Sequence, residues 1–144
     1  MYGSHNTANN ASITNNKNGV MYFYGNDLAS STIKNDGQMT IGDCSFKNQC
    51  REGYTNGTNA SNISKFENNG TLNLGGNINF HQSTLYNRDT SIINAENVNI
   101  SGGDAIFYSS GVINFSGSNI IDIDTNNTGE INLNKGDTYY KKYI

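Results

Sequence analysis

The sequence predicts an all-β fold wound as a parallel β-solenoid. Three observations carry this: a short apolar–polar alternation recurs at a near-constant step, Gly and Asn mark the joints between recurrences, and no long helical stripe is present. The recurring unit is a Gly, a spacer, an apolar residue, a polar residue and a second apolar residue. It appears as Gly19-Val20-Met21-Tyr22-Phe23, Gly37-Gln38-Met39-Thr40-Ile41, Gly70-Thr71-Leu72-Asn73-Leu74 and Gly76-Asn77-Ile78-Asn79-Phe80. Gly111-Val112-Ile113-Asn114-Phe115 and Gly129-Glu130-Ile131-Asn132-Leu133 repeat it, and Glu96-Asn97-Val98-Asn99-Ile100 keeps the apolar spacing without the Gly.

The units start at 19, 37, 70, 76, 96, 111 and 129, giving steps of 18, 33, 6, 20, 15 and 18. Most steps fall between 15 and 20 residues, the step of 33 is close to two of them, and the step of 6 marks either two strand segments within one winding or an irregularity. That suits one coil of a β-solenoid and is too short for a helical repeat. Within each unit the alternation buries one face of a short strand and leaves the other wet. Asn or Asp precedes Gly at Asn18, Asp36 and Asn69, and both tolerate positive φ, as a corner requires. A second group leads into the corners: Phe66-Glu67-Asn68-Asn69, Ile106-Phe107-Tyr108-Ser109-Ser110 and Ile123-Asp124-Thr125-Asn126-Asn127. Two strands and a polar corner per coil follow, with about six to eight coils in a rod of roughly 30–40 Å. Stacking of like on like places Asn over Asn at the corners, where amides satisfy one another. The competing all-β arrangement is an antiparallel meander or sandwich, since Asn-Gly between alternating strands is also a hairpin signal.

Composition agrees. Of 144 residues, 34% are hydrophobic, 15% charged, 16 are Gly and none is Pro or Trp, while roughly one in five is Asn. Asn, Ser, Thr and Gly are mediocre or poor helix formers. The net charge of −3 argues against a nucleic-acid surface, and no apolar run approaches the length of a membrane helix. The expected organisation is an irregular polar cap or frayed end over 1–18, a solenoid over 19–134 and a tail over 135–144. Neither end reads as a dedicated cap and no signal peptide is visible, so we expect a fragment of a longer chain.

The units Phe66-Glu67-Asn68-Asn69-Gly70-Thr71-Leu72-Asn73-Leu74 and Asn126-Asn127-Thr128-Gly129-Glu130-Ile131-Asn132-Leu133 resemble the passenger domains of autotransporters, nearest to the vacuolating-cytotoxin-like group of toxins and adhesins. The resemblance covers residues 19–134. It implies a right-handed parallel β-helix, secreted or displayed on the outer-membrane surface, that acts as a stalk or host-contact surface. Its partners would be a host-cell receptor or glycan, or neighbouring passenger chains. The export signal and membrane β-barrel that belong to that family are not in this sequence.

Candidate chemistry is sparse. Cys44 and Cys50 enclose five residues, a spacing that closes a small disulfide loop in an oxidising compartment and leaves two free thiols in a reducing one. We expect the disulfide, since no second Cys pair or flanking His suggests zinc. His5 and His81 are far apart in sequence and neither is marked as a base. In Ile121-Asp122-Ile123-Asp124, alternation puts both carboxylates on one face, the arrangement a polysaccharide-degrading β-helix would use, although wet-face charge is the ordinary case. Asp104, after Ser101-Gly102-Gly103, is a weak calcium-turn signal without the nonapeptide period. Tyr22 and Tyr24 share a phase opposite Met21 and Phe23, so both rings are expected outside. With Tyr54, Tyr86, Tyr108, Tyr139, Tyr140 and Tyr143 they form a candidate strip for sugar stacking. The Asn-x-Ser/Thr triplets at Asn10, Asn56, Asn59, Asn62, Asn69, Asn99, Asn114 and Asn126 arise by chance in such a composition. With no catalytic constellation evident, the function that the resemblance implies is a non-catalytic segment of a surface-displayed or secreted β-helical toxin or adhesin, without cofactor. The alternative is a polysaccharide-binding or -degrading β-helix of the tailspike or pectin-lyase-like kind.

Overall fold

Strict alternation with β-branched residues favours strands, and a polar corner after each lets the chain turn back over itself. In the computed structural model, described over residues 2–4, 8–43 and 57–140, every strand pairing is parallel and no helix occurs among these residues. The fold is a β-solenoid of about five turns. Each full winding has three strand segments, not two, because the chain bends twice within the long strands. The first segment is β3 (Val20–Tyr24), β5 (Gln38–Gly42), the start of β8 (Thr71–Asn79), the start of β10 (Ile92–Ser109), β11 (Val112–Ser116) and β13 (Glu130–Leu133). The second is β6 (Thr58–Asn59), the end of β8, the middle of β10, the start of β12 (Asn119–Asn127) and β14 (Thr138–Tyr140). The third is β2 (Ser12–Asn15), β4 (Thr32–Asn35), β7 (Lys65–Asn68), β9 (Thr84–Asn87), the end of β10 and the end of β12.

Of the two readings of the step of 6, the structure shows two strand segments within one winding, joined by the bend inside β8. The step of 33 is not two windings. Thr32 pairs with Lys65 and Gln38 with Thr71, so β4–β7 and β5–β8 are direct neighbours, which brings the count below six to eight. Residues 44–56, which include Cys44, Cys50 and Tyr54, lie outside the described residues, as do His5 and Tyr143. Strand pairing extends on both sides of 19–134: β1 (Tyr2–Ser4) pairs with β3, β2 with β4, and β14 with β12.

The core is a set of stacked apolar columns. Met39, Leu72, Ile93 and Ile113 form one, and Ile41, Leu74, Ala95 and Phe115 another, all buried. Ile33, Phe66, Leu85 and Phe107 line the third wall. Large and small residues alternate where space demands it: Phe80 stacks between Ala60 and Gly102 at a corner and meets Phe107 edge-on at 5.2 Å. Truncating one of these buried rings costs about 3–5 kcal/mol.

The corners differ from expectation. Asn18, Asp36 and Asn69 are not the residues with positive φ. Those are Asn10, Ser30, Asn62, Gln82 and Asp104, one per winding ahead of the third strand, together with Gly25, Gly76, Asn97, Gly117 and Gly136. At Gly70 the requirement is close approach: a Cβ there would run into the carbonyl oxygen of Gly37 in the winding below.

The Asn excess has a structural use. Asn15, Asn35, Asn68 and Asn87 are buried in one column at the end of the third strand, each Nδ2 donating to Oδ1 of the next at 2.8 Å. The same amides also donate to corner carbonyls, as Asn35 does to Thr71 at 2.9 Å and Asn68 to Ile92 at 3.1 Å. Buried amides and buried turn carbonyls are satisfied together, which is what makes a tight corner affordable in an apolar interior.

Candidate ligand-contact face

The alternation that buries the core also fixes what each wall shows to solvent. On the first wall Thr40, Asn73, Asn94, Asn114 and Asn132 form a second, outer ladder, with amide contacts of 3.0, 2.9 and 3.0 Å along its last three steps. Its polar groups are spent on one another. The second wall carries Asn59, Asn77, Asn79, Asn99 and Ser101 around a shallow polar depression of about 180 Å³. Here Asn79 donates to Asn59 at 3.3 Å, Asn99 to Asn77 at 3.1 Å, and Asn59 to Asp27 at 3.1 Å.

The third wall is different. Register places Thr14, Lys34, Glu67, Tyr86, Tyr108 and Asn126 in one outward column. It begins charged: Lys34 pairs with Asp36 at 2.8 Å, and Glu67 takes both Lys65 at 3.2 Å and Arg88 at 2.6 Å. The Arg88 guanidinium, helped by Lys65, holds the Glu67 carboxyl below its ordinary range against the opposing effect of partial burial. Lys34 and a hydrogen bond from Asn69 do the same for Asp36, and Asp36 in turn raises Lys34. The column then becomes aromatic. Arg88 lies 4.8 Å from the ring centre of Tyr86, a cation–π contact, and Tyr86 stacks on Tyr108 at 5.3 Å with 12° between the rings. Beside this pair runs an open groove of about 270 Å³, bordered by Arg88, Tyr86, Tyr108, Ser109, Asn126 and Thr128.

No protein-family model, no curated protein and no solved structure matches the chain.

The expected site residues fall differently from the alternation argument. Asp122 and Asp124 do not share a face: Asp122 pairs with Ser101 on the second wall and Asp124 with Ile106 on the third, with buried Ile123 at the corner between them. The strand bends where a straight β-period would have continued. Tyr22 and Tyr24 do stack, at 6.0 Å and 18°, but Tyr24 is only 3% exposed. Its register partners, Ser4 on one side and Gly42 on the other, are both small. Tyr22 is half-buried, and with Tyr24 buried neither ring of this pair is exposed. His81 is exposed just after β8, where its backbone N–H bonds Asn79. Asp104 is exposed, and no three His, Cys, Asp or Glu side chains gather around a common point among the described residues. Nor is any helix among them long and apolar enough to cross a membrane.

The stacked pair that reaches solvent is Tyr86, half-buried, and Tyr108, exposed, two members of the tyrosine strip named above. Arg88 was not singled out by sequence. Its only signal is position, since Leu85-Tyr86-Asn87-Arg88 places it two residues beyond an outward Tyr, within reach of the Glu67 one winding below.

Proposed function

We propose that this chain is a non-catalytic segment of a surface-displayed or secreted β-helical protein of the toxin or adhesin passenger kind, with its third wall as the host-contact surface. The observation that supports this is the division of labour among the walls. Two walls expend their amides on lateral ladders that stiffen a rod, whereas the third presents charged and aromatic side chains with open surface beside them. Exposed Tyr and Arg side chains are the types enriched where proteins bind partners. The partner would be a host-cell receptor or glycan, or a neighbouring passenger chain laid against the same wall. The separation of Asp122 from Asp124 across a corner speaks against those two carboxylates acting as a hydrolytic pair.

Binding of the fluorescently labelled chain to cultured animal cells tests this reading. Saturable binding, displaced by unlabelled chain and lost in Tyr86→Ser/Arg88→Ser but kept in Asn114→Ser, is the expected result. Non-saturable binding, or equal binding by both variants, would overturn it.

A further inference from the structure

The outward column of the third wall is a stack that stops one rung short. Going along the rod it reads Glu67, Arg88, Tyr86, Tyr108: a carboxylate, a guanidinium bonded to it, a ring under that guanidinium, and a second ring on the first. The next rung, in register with Tyr108, is Asn126, whose side chain is too small to cover a phenol ring. Tyr108 remains 38% exposed, and the groove of about 270 Å³ opens beside it. We propose that a neutral pyranose unit occupies this groove, its C–H face on Tyr108 and its hydroxyls against Asn126 and Thr128.

Three features select that chemistry. The groove has an aromatic side and a polar floor, which suits a ring with one apolar face and a polar rim. Of its described lining residues only Arg88 is charged, and that guanidinium already serves Glu67 at 2.6 Å, so no unspent positive charge calls for an acidic sugar or a phosphate. Finally, Asp124 lies two residues before Asn126 on the same strand, exposed on the same wall. Outside the groove lining but on the same wall, that carboxylate disfavours anions and offers acceptors to the hydroxyls of a glycan that continues along the strand. The ring–sugar contact forms at ordinary carbon separations of about 3.5–4 Å and is individually weak, so a single unit binds loosely and an extended glycan gains by running along the wall.

This inference rests on the third wall being a contact surface, but its test is separate. The full chain is titrated with cellotriose, maltotriose and triacetylchitotriose, following tyrosine ring resonances by NMR. At least one probe is expected to shift the Tyr108 ring signals saturably. Tyr108→Ala should weaken that binding by about tenfold or more, Tyr108→Phe should leave it within about threefold, and Asp124→Asn should weaken it while far-ultraviolet circular dichroism stays unchanged. Absence of binding to all three probes, or binding indifferent to Tyr108→Ala, overturns the sugar site even if cell binding persists. Saccharide binding without cell binding supports the site and instead counts against a host-cell partner.

Discussion

The side-chain amide of Asn35 donates to Oδ1 of Asn68 over 2.8 Å although 33 residues separate them in sequence. That one bond makes the two residues neighbours on successive windings, and with it β4 and β7. It also joins the two parts of a buried column that continues from Asn15 to Asn87. Register and amide ladder are two expressions of the same stacking: side chains of one type at one position in every turn.

Removing a middle rung should be costly. Asn68→Ala leaves Asn35 without one of its two acceptors and strips donors from the carbonyls of Gly70 and Ile92. A loss of about 2–4 kcal/mol in urea unfolding is expected. The outer-ladder change Asn94→Ala, whose partners reach water, should cost about 1 kcal/mol or less.

The buried column is interrupted at Ser109, which receives Asn87 Nδ2 at 3.1 Å, and Oδ1 of Asn127, one winding on, has no hydrogen-bond partner. Ser109→Asn supplies the missing donor in the geometry used by the other rungs. It should stabilise the fold by about 1 kcal/mol, read as a rise in Tm of about 3 °C.

Two glycines give a matched contrast. At Gly70 a Cβ meets backbone of the winding below, which cannot move aside, so Gly70→Ala should cost about 1–3 kcal/mol. At Gly103 it would meet only the exposed His81 ring at 3.7 Å, and Gly103→Ala should fall within about 0.5 kcal/mol of the parent. Chemical denaturation of the pair decides whether close stacking governs the corner glycines.

Acid should loosen the charged end of the third wall. Glu67 and Asp36 titrate below their ordinary values of 4.5 and 3.8 because of Arg88 and Lys34. With folded values depressed, their contribution is full above the ordinary carboxylate range and is lost as pH falls through it toward the depressed values. Stability measured from pH 6 to pH 3 should decline more shallowly in Glu67→Gln than in the parent.

Much of the architecture was legible in the sequence because a solenoid writes its geometry into a repeat. Ile33, Phe66, Leu85 and Phe107 each stand two residues before the ladder position, so phase and stacking could be read together. The step of 33 misled because spacing alone does not distinguish a double winding from one winding with extra residues, and only strand register separates them. Asp122 and Asp124 misled for a related reason: alternation assumes a straight strand, and β12 turns a corner at Ile123. Tyr24 depended on what lay above and below it, and a glycine at Gly42 is a tertiary neighbour rather than a sequence signal. The ledge of Arg88, Tyr86 and Tyr108 is assembled from successive windings, with Glu67 contributed by a third.

The most direct test of the parallel winding is a cysteine pair at Thr32 and Lys65, outward register partners, placed in a chain with Cys44 and Cys50 changed to Ser. Adjacent parallel strands lie about 4.8 Å apart, within disulfide range, whereas residues two windings apart lie about 10 Å apart, beyond it. Mild oxidation is expected to close an intramolecular Thr32→Cys/Lys65→Cys disulfide in the folded monomer, and a Ser12→Cys/Lys65→Cys pair should stay open. Closure of the second pair and not the first would contradict the fold.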